Sequence, residues 1–438
     1  MSAPEGFVQL TPRVVFSVAC PGCKKPVDAD DWQLPGMWLL GKFHCGSCSR
    51  EFFHDLPYAL GVLTPCSLDA KTSAATPEFS GKWYADLTAS AWKNRSDKNV
   101  QVTVERSNHG KKVCLVNCLY PWWGDAAGLL LRVNQLKGGM DVIVLINPAL
   151  RWLVPDDVGG VWVVDQELDA NSSWNEALDT AIKAQIEKSG LEIFAPRTFQ
   201  PAYLTQDELQ AACKIKPFPR DEWNSRLQEK PVVTFMWRDD RSWSHSPFGK
   251  LLRGSDTKRQ AANVASLANE LRKRFPKMEF SVCGIGKTAH LPEWIKDMRV
   301  AAIGAGDNEA WAAQGASSHV LCGVTGSHLT IPGSLAGTYV ELVPPQFWSN
   351  IMTCASVTTR EPRETLFCNR FLPVATSPAD LADIISAILL NYSYAAIAFK
   401  DAYYTPLPAE SLEAVRSAAE ARRRALEGIG DGVDHLSN

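Results

Sequence analysis

The chain lacks the features that mark several functional classes. None of its 438 residues belong to an uncharged apolar run of about 18, the least a membrane helix needs. Its most apolar helical stretch, Leu381 to Phe399, carries Asp383, Asn391, Tyr392 and Tyr394 and reads as a buried core helix. No secretory signal pattern is found, so a cytoplasmic protein is expected. A net charge of -3 gives no bulk pull toward nucleic acid or an anionic membrane surface. Charged residues at 21% and hydrophobic ones at 45% exclude a disordered chain and fit two or three globular domains. No spaced acidic pair of the DxD kind stands at a predicted strand end, because Asp239-Asp240 and Asp156-Asp157 are adjacent. No catalytic metal is therefore expected.

Cysteine is plentiful, with twelve residues, but a disulfide framework is not indicated. Eight are scattered among apolar neighbours, as in Val113-Cys114-Leu115 and Val282-Cys283-Gly284, the pattern of reduced, buried thiols. The Asn-x-Ser triplets at Asn94, Asn171 and Asn391 then read as coincidence. The other four form Cys20-Pro21-Gly22-Cys23 and Cys45-Gly46-Ser47-Cys48, with a 21-residue spacer between them. Each CxxC can close a knuckle whose backbone N–H groups point at thiolate sulfur. Two knuckles give the S4 tetrahedron preferred by structural zinc. His44 and His54 lie close in sequence but are not needed as ligands. Four thiolates leave no open coordination position, so this zinc is structural.

The expected organisation is a zinc ribbon over residues 1–60 and a β-rich connector over 61–110. An N-terminal Rossmann-like domain over 111–225 and a C-terminal one over 226–400 follow. A final helix and tail occupy 401–438. In the connector, Trp83, Tyr84, Trp92 and the alternating Val100 to Val104 predict antiparallel strands. From Lys111 the pattern becomes βαβ, with strands at Val113 to Leu119, Asp141 to Ile146 and Val161 to Val164. Pro217 to Trp223 reads as a linker. The second series has strands at Val232 to Trp237, Phe280 to Gly284, Val300 to Ile303, His319 to Gly323 and Tyr339 to Val343. A helix is predicted from Arg259 to Phe275. The fold class is thus α/β, two Rossmann-like domains preceded by a small zinc-ribbon/β domain, with ligands at the carboxyl ends of the strands.

Three strand ends carry unusual residues. Cys322-Gly323-Val324-Thr325-Gly326-Ser327-His328-Leu329 reads as a strand, a small-residue turn and a helix start, whose backbone N–H groups suit a phosphate. Glu341 stands one βα unit further on, where a carboxylate can accept hydrogen bonds from ribose hydroxyls. The other two ends are Trp122-Trp123-Gly124-Asp125 and Arg238-Asp239-Asp240-Arg241. Gly284-Ile285-Gly286-Lys287 adds a loop able to touch a base or phosphate.

The layout resembles the GT-B class of glycosyltransferases. Gly323-Val324-Thr325-Gly326-Ser327-His328-Leu329-Thr330 through Val340-Glu341-Leu342-Val343-Pro344 looks like the G-V-H-G-A-G-L-T…V-E-L-x-P signature of glycosyltransferase family 61. Gly124-Asp125 with Leu129 to Leu136 is similar to the opening of bacterial heptosyltransferases. Phe235 to Arg241 looks like the V-H-x-R-R-x-D segment of fucosyltransferases. Thr325 replaces the histidine of the family 61 turn, and Asp239 the second of the paired arginines, leaving Arg241 as the second cation.

The resemblance implies transfer of a sugar from a nucleotide-sugar donor to a hydroxyl on a carbohydrate or protein acceptor, inverting and metal-independent. Asp125 would be the base and Arg238 the clamp on the leaving diphosphate. Arg241, Gly284, Gly286, Lys287, Thr325, Gly326, Ser327, His328 and Glu341 would contact the donor, and Trp122 and Trp123 the acceptor. Each has a plainer reading. Asp125 suits a helix N-cap and Arg238 a salt bridge with Asp239 or Asp240. Lys287 suits a solvated charge, Glu341 an exposed strand end, His328 simple packing and the tryptophans domain-interface packing. The rival functions are a nucleotide-sugar epimerase on the same fold and a non-catalytic zinc-ribbon scaffold that binds a partner.

Overall fold

The computed structural model describes residues 4–79, 81–136, 140–197, 206–243, 253–350 and 369–400, with 413, 416, 417 and 420. Most of the expected C-terminal helix and tail, 401–438, lies outside them. The chain divides into two compact units, Met1–Ala202 and Tyr203–Asn438. Both are mixed α/β with parallel strands at their centres. Among the described residues no helix is long and apolar enough to cross a membrane.

The first unit opens with short strands β1 (Phe7–Gln9), β2 (Ser17–Ala19), β3 (Pro26–Asp28) and β4 (Asp31–Gln33). The longer β5 (Leu40–Cys45) and β6 (Arg50–Asp55) follow, then β7 (Cys66–Asp69) and β8 (Ala75–Pro77). β2 and β3 form a hairpin, and β4 to β8 a five-stranded antiparallel sheet in chain order. The second sheet is built from β9 (Gln101–Ser107), β10 (Lys112–Asn117), β11 (Asp141–Ile146), β12 (Gly160–Asp165) and β13 (Glu192–Pro196). Its order is β1-β13-β10-β11-β12-β9. β10 to β13 run parallel, and β1 and β9 close the edges antiparallel. The parallel strands are buried on nearly every residue, as expected when both faces of a sheet are covered. β9 alternates exposed and half-buried, the period of an edge strand with one wet face.

Trp83, Tyr84 and Trp92 do not lie on strands but on the helix Lys82–Lys93. Tyr84, Ala85, Thr88 and Ala91 are its buried positions, a three- and four-residue spacing that belongs to a helix face and overrides the β-propensity of aromatics.

The second unit has six strands, β14 (Val232–Arg238), β15 (Glu279–Ile285), β16 (Lys296–Val300), β17 (Val320–Val324), β18 (Thr338–Val343) and β19 (Asn369–Pro373). All pairings are parallel, in the order β16-β15-β14-β17-β18-β19. The order reverses between β14 and β17. β16 ends at Val300, where the sequence predicts a strand to begin. Its buried charge is paired on the spot, since Arg299 makes a two-pronged bond to Asp297 and lies 4.6 Å over the Trp237 ring. The helices Arg253–Arg274 and Pro378–Lys400 pack together on this sheet's side chains. Phe218 and Trp223, expected in a linker, are buried in this core. The Trp223 indole stacks on Tyr392 at 3.9 Å and donates to the Leu389 carbonyl.

Candidate functional site

The two cysteine pairs meet. Cys20 and Cys23 follow β2, and Cys45 and Cys48 span the β5–β6 turn. The four Sγ atoms all lie within 4.8 Å of one another, with Cys20–Cys48 at 3.6 Å and Cys23–Cys45 at 3.5 Å. A tetrahedral ion with metal–sulfur bonds of about 2.3 Å needs sulfurs about 3.8 Å apart, so the cluster fits a metal. The knuckles share one backbone form. Lys24 and Ser49, each just after a second cysteine, have φ of 64° and 53° and donate to the carbonyls of Cys20 and Cys45. Burial opposes ionisation of Cys45, yet the Ser47 backbone, the Cys23 thiol and the Cys48 backbone bring it down to about 6. Phe43 and Phe52 stack at 5.1 Å beneath the cluster.

In the second unit, the residues after β14 and β17 come together at the point where strand order reverses. Arg238 ends β14 and grips Asp240, Nε to Oδ1 at 2.7 Å and Nη2 to Oδ2 at 2.5 Å. Burial raises the Asp240 carboxyl, but the Arg238 bond and charge, with Arg241, hold it below the usual range. Arg241 donates from Nη1 to the Thr325 carbonyl at 3.0 Å and lies 4.3 Å over the Phe347 ring. The turn after β17 continues through a 3-10 segment, Ser327–Leu329, into the short helix Thr330–Leu335. A side chain at Gly326 would meet His328 Nδ1 at 2.8 Å and Arg238 Nη1 at 3.2 Å, so only glycine lets the imidazole and guanidinium approach here. His328 is 4% exposed, and neither ring nitrogen has a partner in full hydrogen-bond geometry among the described residues, the Met236 backbone being the polar group that acts on the ring. Its burial, then the charges of Arg238 and Arg241, press its pKa well below the usual value, against a weaker pull from the Met236 backbone. The ring is neutral at physiological pH.

Other expected donor contacts fall differently. Glu341 lies inside β18, fully buried, and accepts a bond from the Thr325 hydroxyl. Ser327 is half-buried and Lys287 exposed. Gly284 and Gly286 have φ of 129° and 109°. A Cβ on the first would sit 2.0 Å from the Trp237 carbonyl oxygen, and one on the second 2.0 Å from the Asp239 carboxyl. These glycines thus serve the close approach of the β14 and β15 ends. Asp239 in turn accepts from the Trp237 indole at 2.7 Å and the Thr288 hydroxyl at 3.0 Å.

In the first unit, Trp123 opens the helix Trp123–Leu136 directly after β10 and Asp125 lies in its first turn. The half-buried Asp125 donates its backbone N–H to the Trp122 carbonyl at 3.1 Å. Trp122 meets Trp83 edge to face, centroids 5.8 Å apart. Trp83 was missed in the sequence because it lies 39 residues upstream in a segment read as strand.

A buried amide network was missed as well. Asn117, at the end of β10, donates to the Gly36 carbonyl at 3.0 Å, and its own carbonyl accepts the Tyr58 hydroxyl at 2.8 Å. Asn147, just after β11, donates to the Gln166 carbonyl at 2.9 Å and accepts from Asn171. Gln166, just after β12, donates to the Asn171 side chain, whose backbone carbonyl accepts from the Met37 N–H. An amide recurring at successive strand ends was the available signal. No protein-family model matches the chain, and no curated protein matches it.

Proposed function

We propose that the chain is a glycosyltransferase whose second unit binds the diphosphate of a nucleotide-sugar donor. One observation carries the reading. At the point where strand order reverses, Arg238, Arg241 and a neutral imidazole without a partner in full hydrogen-bond geometry among the described residues surround a glycine turn. Counted along the chain, the strand order of that sheet is 3-2-1-4-5-6, that of a Rossmann sheet, where ligands bind outside the carboxyl ends at the reversal. Two guanidiniums and an imidazole N–H offer charge and donors to a leaving diphosphate.

In the proposed reaction an acceptor hydroxyl attacks the anomeric carbon and gives its proton to a general base. The bond from that carbon to the diphosphate breaks, and its electron pair leaves on the phosphate oxygen. Direct displacement inverts the anomeric centre, and no metal is required. In the same reading the four cysteines hold zinc in a ribbon, and the protein works in the cytoplasm, where thiols stay reduced.

A second reading has its own support. Arg238 is already paired with Asp240, and Glu341 is fully buried, as a non-catalytic partner-binding scaffold would allow. Thermal-shift and calorimetric titration with UDP, GDP and their sugar conjugates separates the two, followed by assay of transfer, hydrolysis and epimer formation with radiolabelled donors. Nucleotide binding lost in Arg238→Ala supports the transferase. Absence of any nucleotide response supports the scaffold, and C2 epimer formation the epimerase.

A further inference from the structure

We propose that Trp83 and Trp122 form a binding corner for a β-linked, gluco-configured oligosaccharide. This rests on the acceptor side of the transferase reading, but its test needs no nucleotide. The argument begins with position. In the first unit β10 is flanked by β11 and β13, so strand order reverses beside it, and a parallel sheet takes its ligands outside the carboxyl end at such a point. The chain itself fills the neighbouring ground. Gly36 and Tyr58 cap the end of β10, and Asn171 closes the ends of β11 and β12. The Trp122–Asp125 turn follows β10 in the chain, just after Tyr120, whose carbonyl accepts from Asn171 at 3.2 Å.

The chemistry of the corner then selects the occupant. Trp83 is 52% exposed, and its ring stands at 69° to that of the half-buried Trp122. Its place is fixed from beneath, because the next residue, Tyr84, is buried and donates its hydroxyl to Asp55 at 2.9 Å. An exposed indole held rigid offers a flat apolar face at low entropic cost. An all-equatorial pyranose presents its axial C–H bonds to such a face and its hydroxyls to the rim. Polar groups stand at that rim: the exposed Lys82–Asp86 pair flanks Trp83 on its helix, and Asp125 follows Trp122. The rings meet edge to face, so one stacking face and a side wall are offered to a flat pyranose, and an all-equatorial β-linked chain can run on past them. An apolar protein surface would leave those charges facing it.

Calorimetric titration of the full chain with cellotetraose and chitotetraose tests the assignment, with α-linked mannotetraose as control. Saturable binding of a β-linked tetraose is expected. It should weaken about tenfold or more in Trp83→Ala, the loss of one stacked ring. Trp348→Ala, exposed in the second unit, should bind like the parent. If Trp122→Ala fails to unfold cooperatively, Trp83→Ala decides alone, being a surface change. Failure of both β-linked sugars to bind, undiminished binding in Trp83→Ala, or equal binding of mannotetraose overturns the proposal. So does a dimer that dissociates in Trp83→Ala without sugar binding, since a second copy would then cover the corner. Sugar binding without any nucleotide response would refute the transferase and leave the corner standing; nucleotide binding without sugar binding would do the reverse.

Discussion

Two neighbouring residues of β6, His54 and Asp55, are both buried and titrate in opposite senses. Burial pushes the Asp55 carboxyl up to about 7, against bonds from the Cys66 backbone and the Tyr84 hydroxyl, and pushes the His54 imidazole down to about 4. An acid with a raised folded pKa holds its proton where the unfolded chain has lost it, so its contribution falls as pH rises from about 4 to 7. An imidazole with a lowered folded pKa contributes fully above about 6.5, and that contribution is lost as pH falls toward 4. The two slopes oppose across the shared window, worth at most about 4 kcal/mol for Asp55 and about 3 kcal/mol for His54. Asp55→Asn should remove the falling limb. Its melting temperature, followed from pH 4.5 to 7, should then climb more steeply with pH than that of the parent. Equal slopes would show that Asp55 is ionised throughout. At the same scale, Gly286→Ala must place a methyl against the Asp239 carboxyl at a φ of 109°. Strain of that kind costs about 1–3 kcal/mol before the clash is counted, and a lowered denaturation midpoint at constant m would register it.

At the scale of elements, the cysteine hairpins make the sharpest case. The β2–β3 hairpin, with strands of three residues, is marginal alone, and the core beneath the knuckles is small, with Cys20, Phe43, Cys45 and Phe52 at its centre. A bound metal would then supply folding energy outright. Chelation, or Cys45→Ser, should release about one equivalent of zinc by elemental analysis and lower the first transition on heating. Metal-free protein with an unchanged melting curve would reduce the cluster to four thiols. This cluster was legible because a CxxC confines its chemistry to four residues. The parallel strands were legible for a similar reason, since runs such as Asp141 to Ile146 are apolar on nearly every residue and admit few other fates. What escaped depended on distant partners. The charged strand Lys296–Val300 is held by the Arg299–Asp297 bond and the Trp237 ring, which no local pattern shows. The helical fate of Trp83 is set by the burial of Tyr84, Thr88 and Ala91, and only a three-dimensional core decides which face that is. Asn117, Asn147 and Asn171 carry no local mark in the sequence; their role comes from partners far along the chain.

At the scale of the molecule, each unit has its own buried sheet, and each sheet has its own point of strand reversal beside its first long parallel strand. The second unit gathers cations there, and the first sets the exposed Trp83 against the half-buried Trp122, with the half-buried Asp125 in the helix turn that follows. Two ligands of different chemistry should therefore stabilise different parts of one chain. A ligand that binds only the native form adds RT ln(1 + [L]/Kd), about 2.7 kcal/mol at a hundredfold excess over Kd. Scanning calorimetry of the full chain should resolve two transitions, assigned by the buried substitutions Trp174→Phe in the first unit and Trp223→Phe in the second. A nucleoside diphosphate should raise the transition that Trp223→Phe lowers, and a β-linked tetraose the one that Trp174→Phe lowers. If either ligand moves both transitions equally, the units unfold as one cooperative body and the division of labour between the two reversal points is wrong. If the nucleotide raises the first transition alone, the diphosphate belongs beside Asp125, and Arg238 and Arg241 serve the architecture of the second sheet.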